Sequence, residues 1–280
     1  MDTARPRPVT VGVFDSGVGG LSVLRALHRA MPSVRLVYLA DSGYAPYGER
    51  DAAYVIERSE LITSFLVGQG AALVVIACNT ATAAAARHLR ERHPGVPFVG
   101  VEPGVKPALA MSRNKRIGVL ATTGTLRSEK FQRLIAPYRE HAQLHLQPCP
   151  GLAQAIEAGD TAAHDVRALA QRYCEPLRQA DVDTVVLGCT HYPFAMEALR
   201  AALGPEVILV DTAEPVARHA RRLLEEREGP DVFGCEPAET VAYTTGDVAV
   251  LRRIVDAWLD FPVQVRAAPA SLTGPSPAQP

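Results

Sequence analysis

Two runs of the chain, ALVVIAC at 72–78 and DTVVLGC at 183–189, are almost unbroken in apolar residues and close on a cysteine. A strand covered on one face alternates apolar and polar side chains. A continuous apolar run of this length fits a strand buried on both faces, the habit of parallel sheets wrapped by helices. The rest of the chain keeps that rhythm. VTVGVFD (9–15), VRLVYLAD (34–41) and VPFVGVE (96–102) read as strands around the first run. Between them lie helical spacing over 19–32 and a long helix after Asp51 carrying Leu61, Ile62, Phe65 and Leu66. KRIGVLATT (115–123) restarts the scheme, followed by a helix over TLRSEKFQRLI, a strand AQLHLQPC (142–149) and a helix over 161–180. The second cysteine-ended run comes next. VILVDTA (207–213), a helix over 214–228, VAYTTGD (241–247) and a helix over 248–259 complete the pattern. Gly12 precedes Cys78, and Gly118 precedes Cys189, by similar intervals, so the chain reads as two halves of one α/β plan.

A parallel α/β sheet binds ligands beyond the carboxyl ends of its strands. Asp15, Asp41, Cys78, Glu102, Cys189 and Asp211 all fall at such ends. In FDSGVGGLS (14–22) a carboxylate and a hydroxyl precede a glycine-rich turn into a helix, whose bared N–H groups suit an anion. The spacing is neither that of a dinucleotide fingerprint nor that of a P-loop. It reads as a carboxylate-binding turn, with Asp15 in a catalytic or amine-binding role. CNTAT (78–82) sets a thiol, an amide and hydroxyls at a helix start, where a thiolate is favoured. GCTHYPF (188–194) repeats the arrangement, with His191 two residues after Cys189. Either cysteine alone is compatible with a structural role; two at corresponding places in similar halves point to a site.

The remaining cysteines, Cys149, Cys174 and Cys235, read as small buried hydrophobes. Five cysteines, widely spaced and with no C-x-x-C pair, suit neither a disulfide framework nor zinc. A formal net charge of −1 supplies no field to draw the chain to nucleic acid or an anionic membrane. No apolar run approaches the roughly 20 residues of a membrane span, and MDTARPRPVT lacks a secretory core, so a cytoplasmic location is expected.

FDSGVGGLSVL, ADSGYAPYGER, ACNTATAAA, VEPGVKPA, GVLATTGTLRSEKF and LGCTHYPF, in that order over residues 9–262, closely resemble the glutamate racemases of bacterial cell-wall synthesis. The resemblance implies two flavodoxin-like α/β domains with mainly parallel sheets, facing each other across an active-site cleft. Residues 1–104 with 213–266 would form the first domain and 105–212 the second; the Pro/Ala/Ser-rich stretch 267–280 is expected to be a disordered tail. It further implies interconversion of L- and D-glutamate with no cofactor and no metal, supplying D-glutamate for peptidoglycan. Cys78 and Cys189 would be the acid/base pair, Cys78 deprotonating D-glutamate and Cys189 L-glutamate. Asp15, His191 and, in CPGLAQAIEAG, Glu157 would assist proton transfer. Asp15, Ser16, Tyr47, Gly48, Asn79, Thr80, Thr123, Thr190 and His191 match substrate-binding positions. A homodimer is expected, with no nucleic-acid or membrane partner. Gly43 and Tyr44 stand where many members carry Ala-Arg, which leaves the contacts of that loop open.

Three rival readings share parts of this pattern. Against an aspartate or hydantoin racemase, the DSGVGG and PYGER elements favour a glutamate racemase, and a related decarboxylase uses one cysteine. A regulatory role through protein binding would survive loss of both thiols. A two-domain binding protein would have no need of reactive thiols at both strand ends.

Overall fold

The parallel sheets expected from the unbroken apolar runs are present as two separate sheets in the computed structural model, which describes residues 9–234 and 236–274. In chain order the strands are β1 (Thr10–Asp15), β2 (Arg35–Ala40), β3 (Ala71–Ile76), β4 (Phe98–Gly100), β5 (Arg116–Ala121), β6 (Gln143–Pro148), β7 (Thr184–Gly188), β8 (Ile208–Val210), β9 (Thr240–Thr244) and β10 (Gln264–Ala267). The first sheet runs β10-β9-β2-β1-β3-β4 and the second β6-β5-β7-β8, with every pairing parallel.

Alternation along each strand explains why the runs look uniformly apolar. Val11, Val13, Leu73 and Val75 face the helices Leu21–Ala30, Ala213–Glu228 and Val248–Trp258. Phe14, Val74 and Ile76 face the helices Ala52–Gly68 and Asn79–Arg92 on the other side. The second sheet does the same, with Leu120, Val185 and Leu187 toward His164–Gln179, and Ile117, Val119 and Val186 toward Val105–Met111 and Glu129–Ile135. Each fully buried Val or Leu is worth about 1.5–3 kcal/mol, so both faces resist polar substitution. The sheets meet where Trp258 of the helix Val248–Trp258 stacks on Phe194, with ring centroids 3.7 Å apart and planes at 18°. Arg25 lies over the same Phe194 ring at 5.8 Å.

Strand order fixes where a ligand can sit. In the first sheet β1 leads outward to β2, and the chain then crosses back to place β3 on the other side of β1. The two connections leave in opposite directions and open a crevice beyond the ends of β1 and β3. β5, β6 and β7 repeat this in the second sheet, opening a crevice beyond β5 and β7. Cys78 follows β3 and Cys189 follows β7, so each thiol stands at its sheet's crevice.

Several local expectations need correction. The helix expected over TLRSEKFQRLI breaks into Thr123–Arg127 and Glu129–Ile135, because Ser128 Oγ accepts the Phe131 N–H at 3.1 Å and starts a new helix. Cys189 is followed by a turn and a short 3-10 segment, Tyr192–Ala195, with Pro193 in its first turn, and not by an α-helix start. The expected disorder of 267–280 does not hold for 267–274. β10 adds an edge strand that leads into it, Ala268 N–H donates to the Thr244 carbonyl at 2.7 Å, and Leu272 is buried in the same core cluster as Phe14 and Ile62. Only Val265 of β10 points inward, which is why periodicity gave no strand there. Residues 1–8, 275–280 and Cys235 lie outside the described residues. Among the described residues no helix is long and apolar enough to cross a membrane.

Candidate active site

The two crevices share one cavity of about 330 Å³. Its walls include Asp15 at the end of β1 and Ser16 after it, Cys78, Asn79 and Thr80 after β3, and Tyr47 and Gly48 from the loop after β2. The second sheet contributes Thr123 after β5, Glu157 from the short helix Leu152–Glu157, and Cys189, Thr190 and His191 after β7. Every catalytic and substrate-binding position that the resemblance implies therefore lines the same space. Asp41, Glu102 and Asp211, which share the strand-end position, do not line it: Asp41 is wholly buried against Arg58, and Glu102 pairs with Lys130 at 2.9 Å.

Cys78 is the N-cap of the helix Asn79–Arg92, its sulfur accepting the Ala81 N–H at 3.4 Å. The thiol donates to Ser16 Oγ at 3.7 Å, and Ser16 Oγ donates to Asp15 Oδ1 at 3.4 Å. Asp15 Oδ2 accepts the Gly20 N–H at 2.7 Å. Burial is the main cause that raises the Asp15 carboxyl to about 6, against the opposing pull of His191. Burial and the Asp15 charge push the Cys78 thiol up as well, so it rests protonated. Asn79 Oδ1 is buried without a partner, an acceptor open to a ligand's N–H.

The Cys189 end is built differently. His191 Nδ1 faces the sulfur at 3.6 Å, and its Nε2 lies 2.6 Å from Glu157 Oε2. Burial alone would lower the imidazole, but its bonds to Cys189 and Glu157 outweigh that and hold it well above its usual value. Glu157 is kept low in spite of its own burial, first by His191 and then by Ser42 and Val18. Ser42 Oγ donates to Oε1 at 2.7 Å, and the Val18 N–H donates to Oε2 at 2.8 Å. The glycine-rich turn does bind a carboxylate, as its sequence indicated, but that carboxylate is the protein's own Glu157. A Cβ on Gly17 would lie 2.3 Å from Glu157 Oε2, and one on Gly19 would lie 2.3 Å from His191 Nδ1. Gly17 and Gly19 of DSGVGG are thus the clearance through which the second half reaches the first.

Some wall residues had no sequence signal singled out for them. Ser42 sits in the loop after β2, and Thr122 caps the helix Thr123–Arg127 through the Thr125 N–H at 3.1 Å. Thr122 and Thr125 hydroxyls lie 3.1 and 3.4 Å from Thr80 Oγ1, a hydroxyl cluster joining the two sheets; a Thr-x-x-Thr capping pattern was the available clue. Cys149, read as a buried hydrophobe, is buried and also forms part of the wall. No lysine or arginine lines the cavity among the described residues, so His191 is its only cationic side chain. Among the described residues no three His, Cys, Asp or Glu side chains are grouped to hold a metal ion.

A family model described as Asp/Glu/Hydantoin racemase matches residues 12–220. The glutamate racemase of Ectopseudomonas mendocina is 49% identical over 256 residues, covering 91% of this chain and 96% of its own length. Among solved structures, a glutamate racemase of Bacillus anthracis superposes with a TM-score of 0.83 at 29% identity, over 95% of this chain and 98% of that one. The Escherichia coli glutamate racemase, solved with L-glutamate and the activator UDP-MurNAc-Ala, gives 0.81 at 33% identity, over 94% and 99% of the two chains.

Proposed function

Because the chain belongs to the Asp/Glu/Hydantoin racemase family, alongside its glutamate racemases, we propose that it interconverts L- and D-glutamate by two-base proton transfer through Cys78 and Cys189. The observation that carries the mechanism is two free thiols, one after the third strand of each sheet, lining one cavity. The α-proton of an amino acid is a very weak acid, so its removal needs a close base and charge stabilisation in a dry site. One sulfur removes the proton as thiolate. The other, as thiol, returns a proton to the opposite face of the planar intermediate. After turnover the two sulfurs have exchanged protonation states, and the reverse reaction starts from there.

The roles divide by neighbour. Cys189 takes the proton of L-glutamate, with charged His191 compensating the sulfur's negative state and Glu157 holding the ring. Cys78 delivers or takes the proton on the D-glutamate face, with Ser16 and Asp15 behind it. With no lysine or arginine in the wall among the described residues, the substrate carboxylates fall to hydroxyls and N–H groups. The helix starts at Asn79–Thr80 and at Thr123 supply them, together with Thr190 and the hydroxyl of Thr122. Asn79 Oδ1 and Asp15 are the acceptors for the ammonium group. On this reading Tyr47 and Gly48 form the loop wall of the substrate site. The D-glutamate produced serves peptidoglycan synthesis, and the enzyme works as a cytoplasmic homodimer with no nucleic-acid or membrane partner.

The test is L-glutamate in D₂O, followed by circular dichroism and by deuterium at the α-carbon, for wild type, Cys78→Ala and Cys189→Ala. Racemisation with deuterium uptake in wild type and in neither variant is the expected result. Exchange of the α-proton that persists in both variants would rule the thiols out as the bases.

A further inference from the structure

We propose that Asp41, Arg58 and the segment 268–274 form a strap that positions the cleft loop 42–50, making the C-terminal segment part of the active site's support. Asp41 directly follows β2 and is fully buried. Its Oδ2 accepts Tyr47 OH at 2.5 Å and Arg58 Nε at 2.9 Å; its Oδ1 accepts Arg58 Nη2 at 2.7 Å and Thr245 Oγ1 at 2.9 Å. A buried carboxylate needs this many donors, and the planar guanidinium fork meets both oxygens at once.

Arg58 does not stop at Asp41. Its Nη2 also donates to the Leu272 carbonyl at 3.0 Å, and its guanidinium lies 3.5 Å above the Tyr44 ring. Tyr44 OH in turn donates to the Gly274 carbonyl at 2.6 Å. Tyr44 is one of the two positions at which this chain departs from the pattern of its motif, and the tail gives it a partner. Gly43, the other, is held by Thr245: its N–H donates to Thr245 Oγ1 at 3.1 Å, and a Cβ there would lie 2.7 Å from the Thr245 carbonyl oxygen.

The loop fixed in this way touches the site twice. Tyr47 and Gly48 line the cavity, with Gly48 packed so closely on Thr122 that a Cβ would lie 2.9 Å from Thr122 Cβ. Ser42, next to Asp41, donates to Glu157 Oε1, the carboxylate that holds His191. Asp41 and Arg58 touch neither the cavity nor the thiols, so they are positioning residues. The kinetic half of the proposal rests on the glutamate racemase reading; the structural half does not.

Two variants test it. Tyr44→Phe keeps the ring under Arg58 and removes only the tether to Gly274. Arg58→Lys keeps the charge and loses the fork and the Leu272 contact. Amide hydrogen exchange over 42–50 should quicken in both, more in Arg58→Lys, with far-UV circular dichroism unchanged. The KM for glutamate should rise by about tenfold in Arg58→Lys with kcat within about threefold of wild type, because the loop is displaced and not removed. Unchanged exchange over 42–50 in both variants overturns the strap. Faster exchange with an unchanged KM overturns its positioning role. A wild-type enzyme inert toward glutamate defeats the activity reading, while the exchange arm still decides the strap.

Discussion

Gly19→Ala separates the placement of His191 from its chemistry, because it leaves every reactive group in the protein. The new methyl carbon would lie 2.3 Å from Nδ1 and 2.6 Å from Cε1 and Cγ. Ordinary contact begins near 3.4 Å, so the ring must withdraw by about 1 Å; a misplacement of that size can cost about 100-fold in rate, or about 2.7 kcal/mol of transition-state stabilisation. The ring cannot yield cheaply, since it is buried and tied to Glu157 at 2.6 Å. The assay is racemisation of each glutamate enantiomer by circular dichroism, beside a thermal melt. Gly68→Ala is the control, having nothing within 4 Å of its added Cβ. NMR titration adds a second readout. Displaced from Cys189 and Glu157, His191 should titrate lower than in wild type. The stability that its raised value confers is fully present below the ordinary imidazole range and is lost as pH rises through the folded value. The variant should therefore lose that contribution at lower pH. A folded Gly19→Ala enzyme within about threefold of wild type would refute the claim that this clearance places the imidazole.

Two further expectations follow from buried groups. Asp15, raised to about 6, holds a proton in the folded state that the unfolded chain has released, so stability falls as pH rises from about 4 to about 6. Asp15→Asn should remove that slope and gain about 2–3 kcal/mol at pH 7 while losing activity; urea melts giving no gain over wild type at pH 7 would show that burial is not a net cost there. Trp258→Ala removes the stack on Phe194 between the sheets and should cost about 2 kcal/mol, lowering Tm by about 4–8 °C, and a melt unchanged within 1 °C would refute the contribution of that contact.

The features legible in the sequence were those with short-range signals. Unbroken apolar runs marked β3 and β7, and polar turns after them marked Cys78 and Cys189 as rim and not core. The link between DSGVGG and Glu157 was not legible, because its partners stand 139 residues apart and a glycine leaves no trace of what it admits. Family resemblance proposed Glu157; only the fold shows that Val18 and Ser42 hold it. The ordered part of the tail was hidden by its composition, since among the described residues Val265, Ala268 and Leu272 are its only buried apolar anchors. Asp41 carried a signal at a strand end and was drawn instead into supporting the loop.

The two thiols stand in unlike company: a hydroxyl and a carboxyl raised to about 6 behind Cys78, an imidazolium and a carboxylate behind Cys189. Mirror-image substrates have equal free energy in water, so their equilibrium constant is unity whatever the catalyst. An enzyme that racemises glutamate must then show equal kcat/KM in the two directions, and no side-chain arrangement can tilt that ratio. The unlike halves can express themselves only in how each enantiomer divides the shared value between saturation and turnover. Any replacement at Asp15 or His191 must move both directions' kcat/KM together, however one-sided its position beside the cleft.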